Sequence, residues 1–391
     1  MDIAYYTHPA LLEPALCLVK ALSRKARVHL LLEISQGAWQ SAMFDLDARE
    51  LPPGILPAHP ILAPALPAGA RAFWQHAASF HLVVHPARRS VSLSSWRISR
   101  EALRFVAARA DVLHVDDVDV SPRLALGLPL RRHIPMVVNV HDPQPHSGER
   151  HWRKTLARRL AFPRADAFVL FHDAARDAFA AAWGVERDRI TSVRLGAYDV
   201  IREWASPAQG DGGRAVLFFG RLSPYKGLET FYDAARLIAA RVPDARFIIA
   251  GRPIDGYTPP PPPSLPPPAR IDVAERYLSA AEATALLRDA AVVVCPYRDA
   301  SQSGVVLSAY AFGVPVVATN VGGLPEYVLP ERTGLIVPVG DAQAIADAVC
   351  RILLDGAFTA RLRDGIRHAP FDWGAAADAV IGVYEKIGSG V

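Results

Sequence analysis

Short β-branched or apolar runs alternate with longer stretches of helical period along this chain, and the whole rhythm occurs twice. No other feature constrains the fold as much. A strand, a crossover helix and a second strand in the same direction make a parallel sheet covered by helices. In the first half the strands read as Asp2 to Tyr6, Val28 to Leu32, Leu82 to His85, Val112 to Val115, Pro135 to Val140, Ala167 to Phe171 and Ile190 to Leu195. Leu11 to Leu22, Trp96 to Ala108, Trp152 to Ala161 and Asp173 to Trp183 read as the helices between them.

Residues 206–213 lack any period and are rich in turn formers, which marks a linker. The rhythm then restarts with strands at Ala215 to Phe219, Arg246 to Ala250, Val292 to Cys295 and Pro315 to Ala318. Helices are expected at Leu228 to Arg241, Ala280 to Arg288, near Val305 to Phe312, and at Ala342 to Leu354. The fold class is therefore α/β, with two doubly wound Rossmann-like domains: residues 1–200, a linker over 201–213, and residues 214–370. With 391 residues the chain has the length for two cores. Ligands of such sheets bind at the carboxyl ends of the strands, so two domains facing across a cleft are the expected setting of a site. Pro259 to Pro268 holds eight prolines in ten residues and reads as an exposed polyproline-type loop, whether an insertion or a surface for a partner.

Composition narrows the class further. The sequence is 51% hydrophobic and 21% charged, as in globular chains and unlike disordered ones. It opens without a basic patch and apolar run, and no stretch reaches roughly 18 uncharged apolar residues, so neither a signal peptide nor a membrane span is expected. Cys17, Cys295 and Cys350 lie far apart, which fits neither a disulfide framework nor a zinc site and suits a reducing cytoplasm. Residues 1–200 hold 25 Lys and Arg against 19 Asp and Glu, while the remainder holds 18 against 20. The first half is thus the basic one, either as a solvated surface or to meet something anionic such as a lipid phosphate. The stretch 148–162, with Trp152, Leu156, Leu160 and Phe162 among basic residues, reads as an amphipathic helix that either packs on the sheet or rests peripherally on anionic lipid.

Two segments carry chemistry. In Phe218-Phe-Gly-Arg-Leu-Ser-Pro-Tyr-Lys-Gly-Leu-Glu229 a strand runs into a turn that opens a helix. Gly220 lets the backbone bend, Arg221 supplies a planar fork of donors, and Lys226 precedes a helix whose free N–H groups favour negative charge. Such a set suits a diphosphate. In Val294 to Ala318 a strand is followed by the polar turn Ser301, Gln302, Ser303 and Gly304, then by a helix. Its N-terminal N–H groups suit phosphate or sugar hydroxyls, or are simply capped. At the end of the strand before Val140, Val138-Asn-Val-His-Asp-Pro-Gln-Pro-His-Ser-Gly-Glu149 places His141, Asp142, His146 and Glu149 at a carboxyl edge.

The Gly-Arg-Leu-Ser-Pro-Tyr-Lys-Gly run at 220–227 resembles the donor-phosphate motif of the retaining glycosyltransferases of family 4, the group 1 glycosyltransferases with the GT-B fold. The likeness extends over most of the chain. It implies that Arg221 and Lys226 neutralise the diphosphate of a nucleotide sugar and stabilise the charge that grows on it as it leaves. It implies further that His141 points at the donor sugar. Ser308 and the turn Gln302, Ser303 and Gly304 would contact the donor, and Tyr277 would lie where related enzymes hold the nucleotide base. His8, in the turn after the first strand, would lie beside the acceptor with Asp142, His146 and Glu149. Residues 371–391 resemble the terminal helix that crosses back to the first domain. The sequence departs from the family pattern where two glutamates with seven residues between them are usual: those positions are Ala300 and Ser308.

No dinucleotide fingerprint, Walker motif or nucleophile elbow is present. No acid pair matches the divalent-metal motif of the other glycosyltransferase fold, so no metal and no cofactor beyond the nucleotide-sugar donor is expected. The expected function is metal-independent transfer of a sugar to a saccharide or lipid-linked acceptor, in building a bacterial surface polysaccharide or glycolipid, with no role for nucleic acid. Two alternatives stay open: a non-catalytic subunit of the same fold, and a nucleotide-sugar epimerase, which needs no acceptor.

Overall fold

A computed structural model describes residues 1–40, 45–86, 92–118, 122–128, 134–143, 152–205 and 213–388. The chain divides into two compact units, one running to Gly196 and resuming at Asp372, the other spanning Ala197–Phe371. In the first, the strands are β1 (Asp2–Thr7), β2 (Arg27–Ser35), the small antiparallel pair β3 (Ala38–Gln40) and β4 (Asp45–Asp47), β5 (Gly54–Pro57), β6 (Ser79–His85), β7 (Val112–Asp116), β8 (Met136–Val140), β9 (Ala167–Leu170) and β10 (Ile190–Ser192). The helices are α1 (Leu12–Leu22), α2 (His59–Leu62), α3 (Leu93–Ala107), α4 (Pro122–Gly127), α5 (Trp152–Ala161) and α6 (Arg176–Trp183).

The main sheet has the order β10-β9-β8-β7-β1-β2-β6-β5, parallel throughout except for the edge strand β5. From β1 the chain winds outward through β2 and β6, then returns to wind the other way through β7 to β10. The reversal between β1 and β7 is the point where such sheets open a crevice at their carboxyl ends. Strands buried on both faces read as continuous apolar runs, and β2 is buried from Val28 to Ser35. Helices α3, α4 and α5 pack one after another on a single face, through Ile98, Leu103, Leu124, Ala157 and Phe162.

The second unit repeats the plan with β11 (Ala215–Phe219), α7 (Leu228–Arg241), β12 (Arg246–Ala250), β13 (Arg270–Ala274), α8 (Ala280–Asp289), β14 (Val292–Cys295), α9 (Gly304–Ala311), β15 (Val316–Thr319), α10 (Leu324–Tyr327), β16 (Gly334–Val337), α11 (Ala342–Leu354) and α12 (Gly356–Arg367). Its all-parallel sheet runs β13-β12-β11-β14-β15-β16, with the switch point between β11 and β14. Two parallel-sheet Rossmann-like units are therefore observed, as the alternating pattern requires.

The last helix, α13 (Trp373–Gly388), belongs to the first unit and packs on α1. Lys25 pairs with Asp378, and Tyr384 hydrogen-bonds His114. Gly196 admits the Trp373 indole, since a Cβ there would fall 2.5 Å from the ring. Residues 197–205 group with the second unit, earlier than the linker read at 201–213: Tyr198 N–H donates to the Leu307 carbonyl, and a 3-10 turn at Asp199–Trp204 packs on α8 and α9.

Five strands escaped the sequence pattern, among them the three-residue pair β3 and β4. β13 and β5 are edge strands, and the alternating Arg270 and Asp272 of β13 break an apolar run. β16 is only four residues long. The proline-rich stretch is neither helix nor strand, and within it Leu265 leans on the core of the second unit instead of facing solvent. All three cysteines are buried. Among the described residues no helix is long and apolar enough to cross a membrane.

Candidate functional site

At the switch point of the second unit, β11 delivers the chain into Gly220 at φ 101°. A Cβ there would lie 2.8 Å from the Lys226 ammonium and 3.1 Å from Cγ2 of Val305. The bare backbone of Gly220 is therefore in contact both with Lys226 and with the first turn of α9, some eighty residues further along the sequence. Lys226 ends a 3-10 turn, Pro224–Lys226, that stops at Gly227 with φ 70°. A Cβ on Gly227 would fall 2.1 Å from the Pro296 carbonyl oxygen, and Arg298 N–H donates to the Tyr225 carbonyl at 2.7 Å. The turn thus lies directly on the chain leaving β14. Lys226 is buried, with its ammonium 5.1 Å from the centroid of the Tyr297 ring. Arg221 is exposed at the same turn. Buried Ser223 contributes a hydroxyl that finds no partner among the described residues.

Helix α9 begins at Gly304 with Ser303 as N-cap, and Ser303 makes no side-chain capping bond. The first N–H groups of α9 remain directed to whatever lies before the helix, where they favour negative charge. Gln302 is half-buried, and its Oε1 has no partner among the described residues. Ser308 lies one turn further along α9, on the side shared with Gly304. Tyr277 follows β13 just before the Ser279 cap of α8, with Arg276 hydrogen-bonded to its carbonyl and to Glu282. The structure thus brings together Gly220, Lys226, Ser303 and Gly304, places Arg221 at their rim, and sets Ser308 and Tyr277 further along the same sheet edge. Gly322 and Gly323 serve packing: a Cβ on Gly322 would fall 1.5 Å from the Ala300 carbonyl oxygen, and Gly323 N–H donates to Ser301.

In the first unit, His141 follows β8, and Asp116 and Thr7 end β7 and β1. These neighbouring strands carry the three residues to one edge. Asp116 accepts from His141 Nε2 at 2.8 Å, from Asn139 at 3.0 Å and from the Thr7 hydroxyl at 2.9 Å. Burial disfavours both charges, but their mutual attraction and the hydrogen bonds prevail. Asp116 is held below the usual carboxylate range, and His141 is raised by Asp116, Asp117 and Asp142. Nδ1 of His141 has no partner among the described residues and is the group left for a ligand. His8 caps the turn Pro9–Leu11 through Nδ1, and burial lowers its pKa. The Asp142 and Pro143 carbonyls are held by the buried Arg158 of α5. His146 and Glu149 lie outside the described residues.

A second buried cluster was missed in the sequence. Glu33, fully buried in β2, accepts from the Tyr6 hydroxyl at 2.7 Å and from Arg123 at 3.3 Å. Beside this pair His85 is fully buried, and neither ring nitrogen finds a partner among the described residues. Burial, with Arg123 adding to it against the pull of Glu33, lowers the His85 pKa to about 4, so the ring is neutral. An acid directly after the apolar run Leu30–Leu32 of β2 was the available signal. Glu13, in the first turn of α1, is another: burial lifts its carboxyl to about 7.

Comparison with known proteins places this chain in a family. The model described as "Glycosyl transferases group 1" matches residues 213–355, and the "Glycosyl transferase 4-like domain" matches residues 15–196. A D-inositol 3-phosphate glycosyltransferase of Saccharomonospora viridis is 35% identical over 57% of this chain and 53% of its own length. The chain spans about half the length of the first such curated relatives. Sucrose-phosphate synthase from Thermosynechococcus elongatus shares the fold over the full length of both chains, with TM-score 0.66 and 19% identity. Anabaena HepE in complex with UDP does so over 99% of this chain and 100% of its own, with TM-score 0.63 and 17% identity. With both halves matched by models of one family and the GT-B architecture in common, this chain belongs to the group 1 glycosyltransferases of family 4.

Proposed function

We propose that this chain transfers a glycosyl residue from a nucleoside diphosphate sugar to an acceptor hydroxyl, without a metal ion and with retention of configuration. The observation that supports it most is the convergence of Gly220, Lys226 and the uncapped start of α9 at the switch point between β11 and β14. A buried ammonium, an exposed guanidinium and a helix N-terminus form a cationic seat for a leaving diphosphate. In the reaction the bond between the anomeric carbon and the diphosphate oxygen breaks and the acceptor oxygen bonds to that carbon. The acceptor proton passes to the departing diphosphate on the same face. Arg221 and Lys226 hold the developing negative charge, while His141, kept in orientation by Asp116, offers Nδ1 to a sugar hydroxyl. The UDP named with Anabaena HepE and the transferase names of the curated relatives support a nucleotide-sugar donor. The reading includes a saccharide or lipid-linked acceptor in bacterial polysaccharide or glycolipid synthesis, and a cytoplasmic enzyme that meets the membrane peripherally.

The test is thermal stabilisation by UDP, GDP, ADP and their sugars in the absence of metal, on the wild type and on Arg221→Ala with Lys226→Ala. A nucleotide present at about 100 times its dissociation constant adds roughly 2.7 kcal/mol of stability. One nucleotide class is expected to stabilise the wild type and not the double variant. A flat response to every nucleotide refutes the proposal, and product formation without an acceptor points to an epimerase instead.

A further inference from the structure

The central strands of the first unit turn alternate residues to opposite faces. Ala4 and Tyr6 of β1, Leu113 and Val115 of β7, and Val138 and Val140 of β8 join the apolar core under α3, α4 and α5. The other face of the same three strands is polar. Tyr5 and Thr7, His114 and Asp116, and Asn139 and His141 stand on it, with Tyr5 opposite His114 and Asp116 opposite Asn139. All six are buried. Helix α13 reaches this face. Its other buried residues are Trp373, three alanine or valine pairs' worth of small apolar side chains at most, and Tyr384 supplies its one buried hydroxyl.

The groups on this face form one continuous file from α13 to the carboxyl edge. The Tyr384 hydroxyl is hydrogen-bonded to Nδ1 of His114, and the two rings meet edge to face at 5.6 Å. The His114 ring lies 4.8 Å from that of Tyr5. Asn139 Nδ2 donates to the Tyr5 hydroxyl at 3.1 Å and to Asp116 Oδ1 at 3.0 Å, and the same Oδ1 accepts from His141 Nε2 at 2.8 Å. Burial lowers the His114 pKa to about 4 against the pull of Asn139 and Asp116, so the ring is neutral and carries one proton. Neither Nε2 of His114 nor Oδ1 of Asn139 has another partner among the described residues. A ring that accepts the Tyr384 proton at Nδ1 carries its own on Nε2, which suits the amide oxygen. An amide held that way turns its NH2 to Asp116, whereas the reverse orientation sets oxygen against carboxylate. In a buried network each bond thus fixes the sense of the next.

We propose that Tyr384 of the last helix is a positioning residue: through His114 and the Asn139 amide it holds Asp116 on the His141 Nε2–H, and so keeps Nδ1 of His141 toward the ligand. The proposal rests on the reading of His141 as a sugar-facing group, and its first test does not need turnover. The full chain is labelled with heavy nitrogen at histidine, and long-range proton–nitrogen NMR spectra, assigned through His114→Gln and His141→Gln, report the tautomer and titration of each ring. Asp116, Asp117, Asp142, the neutral His114 and the Phe171 ring surround His141, and none of them is altered in the test variants. In the wild type His114 is expected as the Nε2–H tautomer. Tyr384→Phe removes one oxygen and keeps the ring. It is expected to leave His114 in mixed tautomers and to move the His141 titration to lower pH, because an amide free to turn its oxygen to Asp116 drives the carboxylate off His141. Tyr5→Phe, which removes another partner of the amide, is expected to move His141 in the same direction. Val380→Ala loosens the packing of α13 one turn away and is expected to leave both rings as in the wild type. Circular dichroism establishes that each variant is folded. With donor and acceptor supplied, Tyr384→Phe is expected to lower kcat about tenfold, the scale on which an outer partner orients a ligating histidine, with the donor KM and the nucleotide-induced stabilisation unchanged. Wild-type ring signals in Tyr384→Phe, an Nδ1–H tautomer of His114 in the wild type, or equal shifts from Val380→Ala would each overturn the proposal. Absence of turnover in the wild type itself counts against the transferase reading, and the ring signals then decide the role of Tyr384 on their own.

Discussion

Replacing Gly227 by alanine tests the nucleotide seat without knowledge of the donor. Two costs follow from the structure. At φ 70° any Cβ meets the left-handed penalty, about 1 kcal/mol. The added carbon would also lie 2.1 Å from the Pro296 carbonyl oxygen. An ordinary carbon–oxygen approach is roughly 3.3 Å, so the turn and the chain after β14 must part by about 1.2 Å. Overpacking of that kind adds about 1–3 kcal/mol. Gly340 is the control: its φ is 77° and a Cβ there meets nothing within 4 Å. Gly340→Ala is expected to cost about 1 kcal/mol and Gly227→Ala about 2–4 kcal/mol, read by urea unfolding. The Gly227 change moves the turn that carries Lys226, and a misplacement near 1 Å costs on the order of 100-fold in rate. The nucleotide-induced rise in melting temperature should therefore shrink in Gly227→Ala and persist in Gly340→Ala. Stabilities within about 0.5 kcal/mol of one another, with equal nucleotide responses, would show that the turn is not wedged against Pro296 as described.

Removal of metal by EDTA should leave both nucleotide stabilisation and turnover unchanged, because Arg221 and Lys226 carry the neutralising charge; activity restored only by a divalent ion would contradict this. Asp116→Asn should destabilise most between roughly pH 4 and 6.5, by about 3 kcal/mol. The lowered Asp116 contributes above its ordinary 3.8 and fails as pH falls, while the raised His141 contributes fully below its ordinary 6.5 and fails as pH rises through its folded value. Urea titrations at pH 5.5 and 9 check this, and a pH-independent difference counts against it. Glu13→Gln should be near neutral at pH 4 and stabilising by about 3 kcal/mol at pH 8. With its folded value raised to about 7, ionising Glu13 opposes folding as pH climbs from 4.5, so the wild-type melting temperature should fall over that range and the variant's should not.

Strand and helix order was legible because parallel sheets demand long apolar runs, and those of β9, β11 and β14 are uninterrupted. Gly220 and Lys226 were legible for a different reason: a strand, a glycine, two cations and a helix occur within one continuous segment. That α9 starts against that segment was not, since the contact between Gly220 and Val305 comes from the order of strands in the sheet, which no local pattern encodes. The Glu33, Arg123, Tyr6 and His85 cluster was hidden likewise, being drawn from β2, α4, β1 and β6. Of the two readings open for 148–162, packing on the sheet is the one that buried Ala157, Ala161 and Phe162 follow, and Arg158 is buried with them for a physical reason. A guanidinium is costly to bury unless its donors are met, and the two carbonyls after β8 supply that condition for Arg158.

The departure at positions 300 and 308 bears on what the nucleotide seat recognises. Ala300 has a buried side chain, and its carbonyl is pressed against Gly322, so the turn is closed by backbone packing. Lys226 is buried and rests near a neutral aromatic face, with Arg221 at the rim. Two carboxylates at those positions would subtract two charges from this neighbourhood and supply acceptors for sugar hydroxyls. Under the proposed function, alanine and serine would leave the cationic field undiminished for the diphosphate, and sugar recognition would fall to neutral groups, the Gln302 amide and the Ser303 and Ser308 hydroxyls. On this reading the chain gains its hold on the donor chiefly from the nucleotide diphosphate, and choice among sugars falls to the hydrogen bonds of neutral groups, which reject a sugar that leaves them unpaired. Nucleotide and nucleotide sugar should then bind with similar affinity, whereas a site built on two carboxylates would favour the sugar-bearing form.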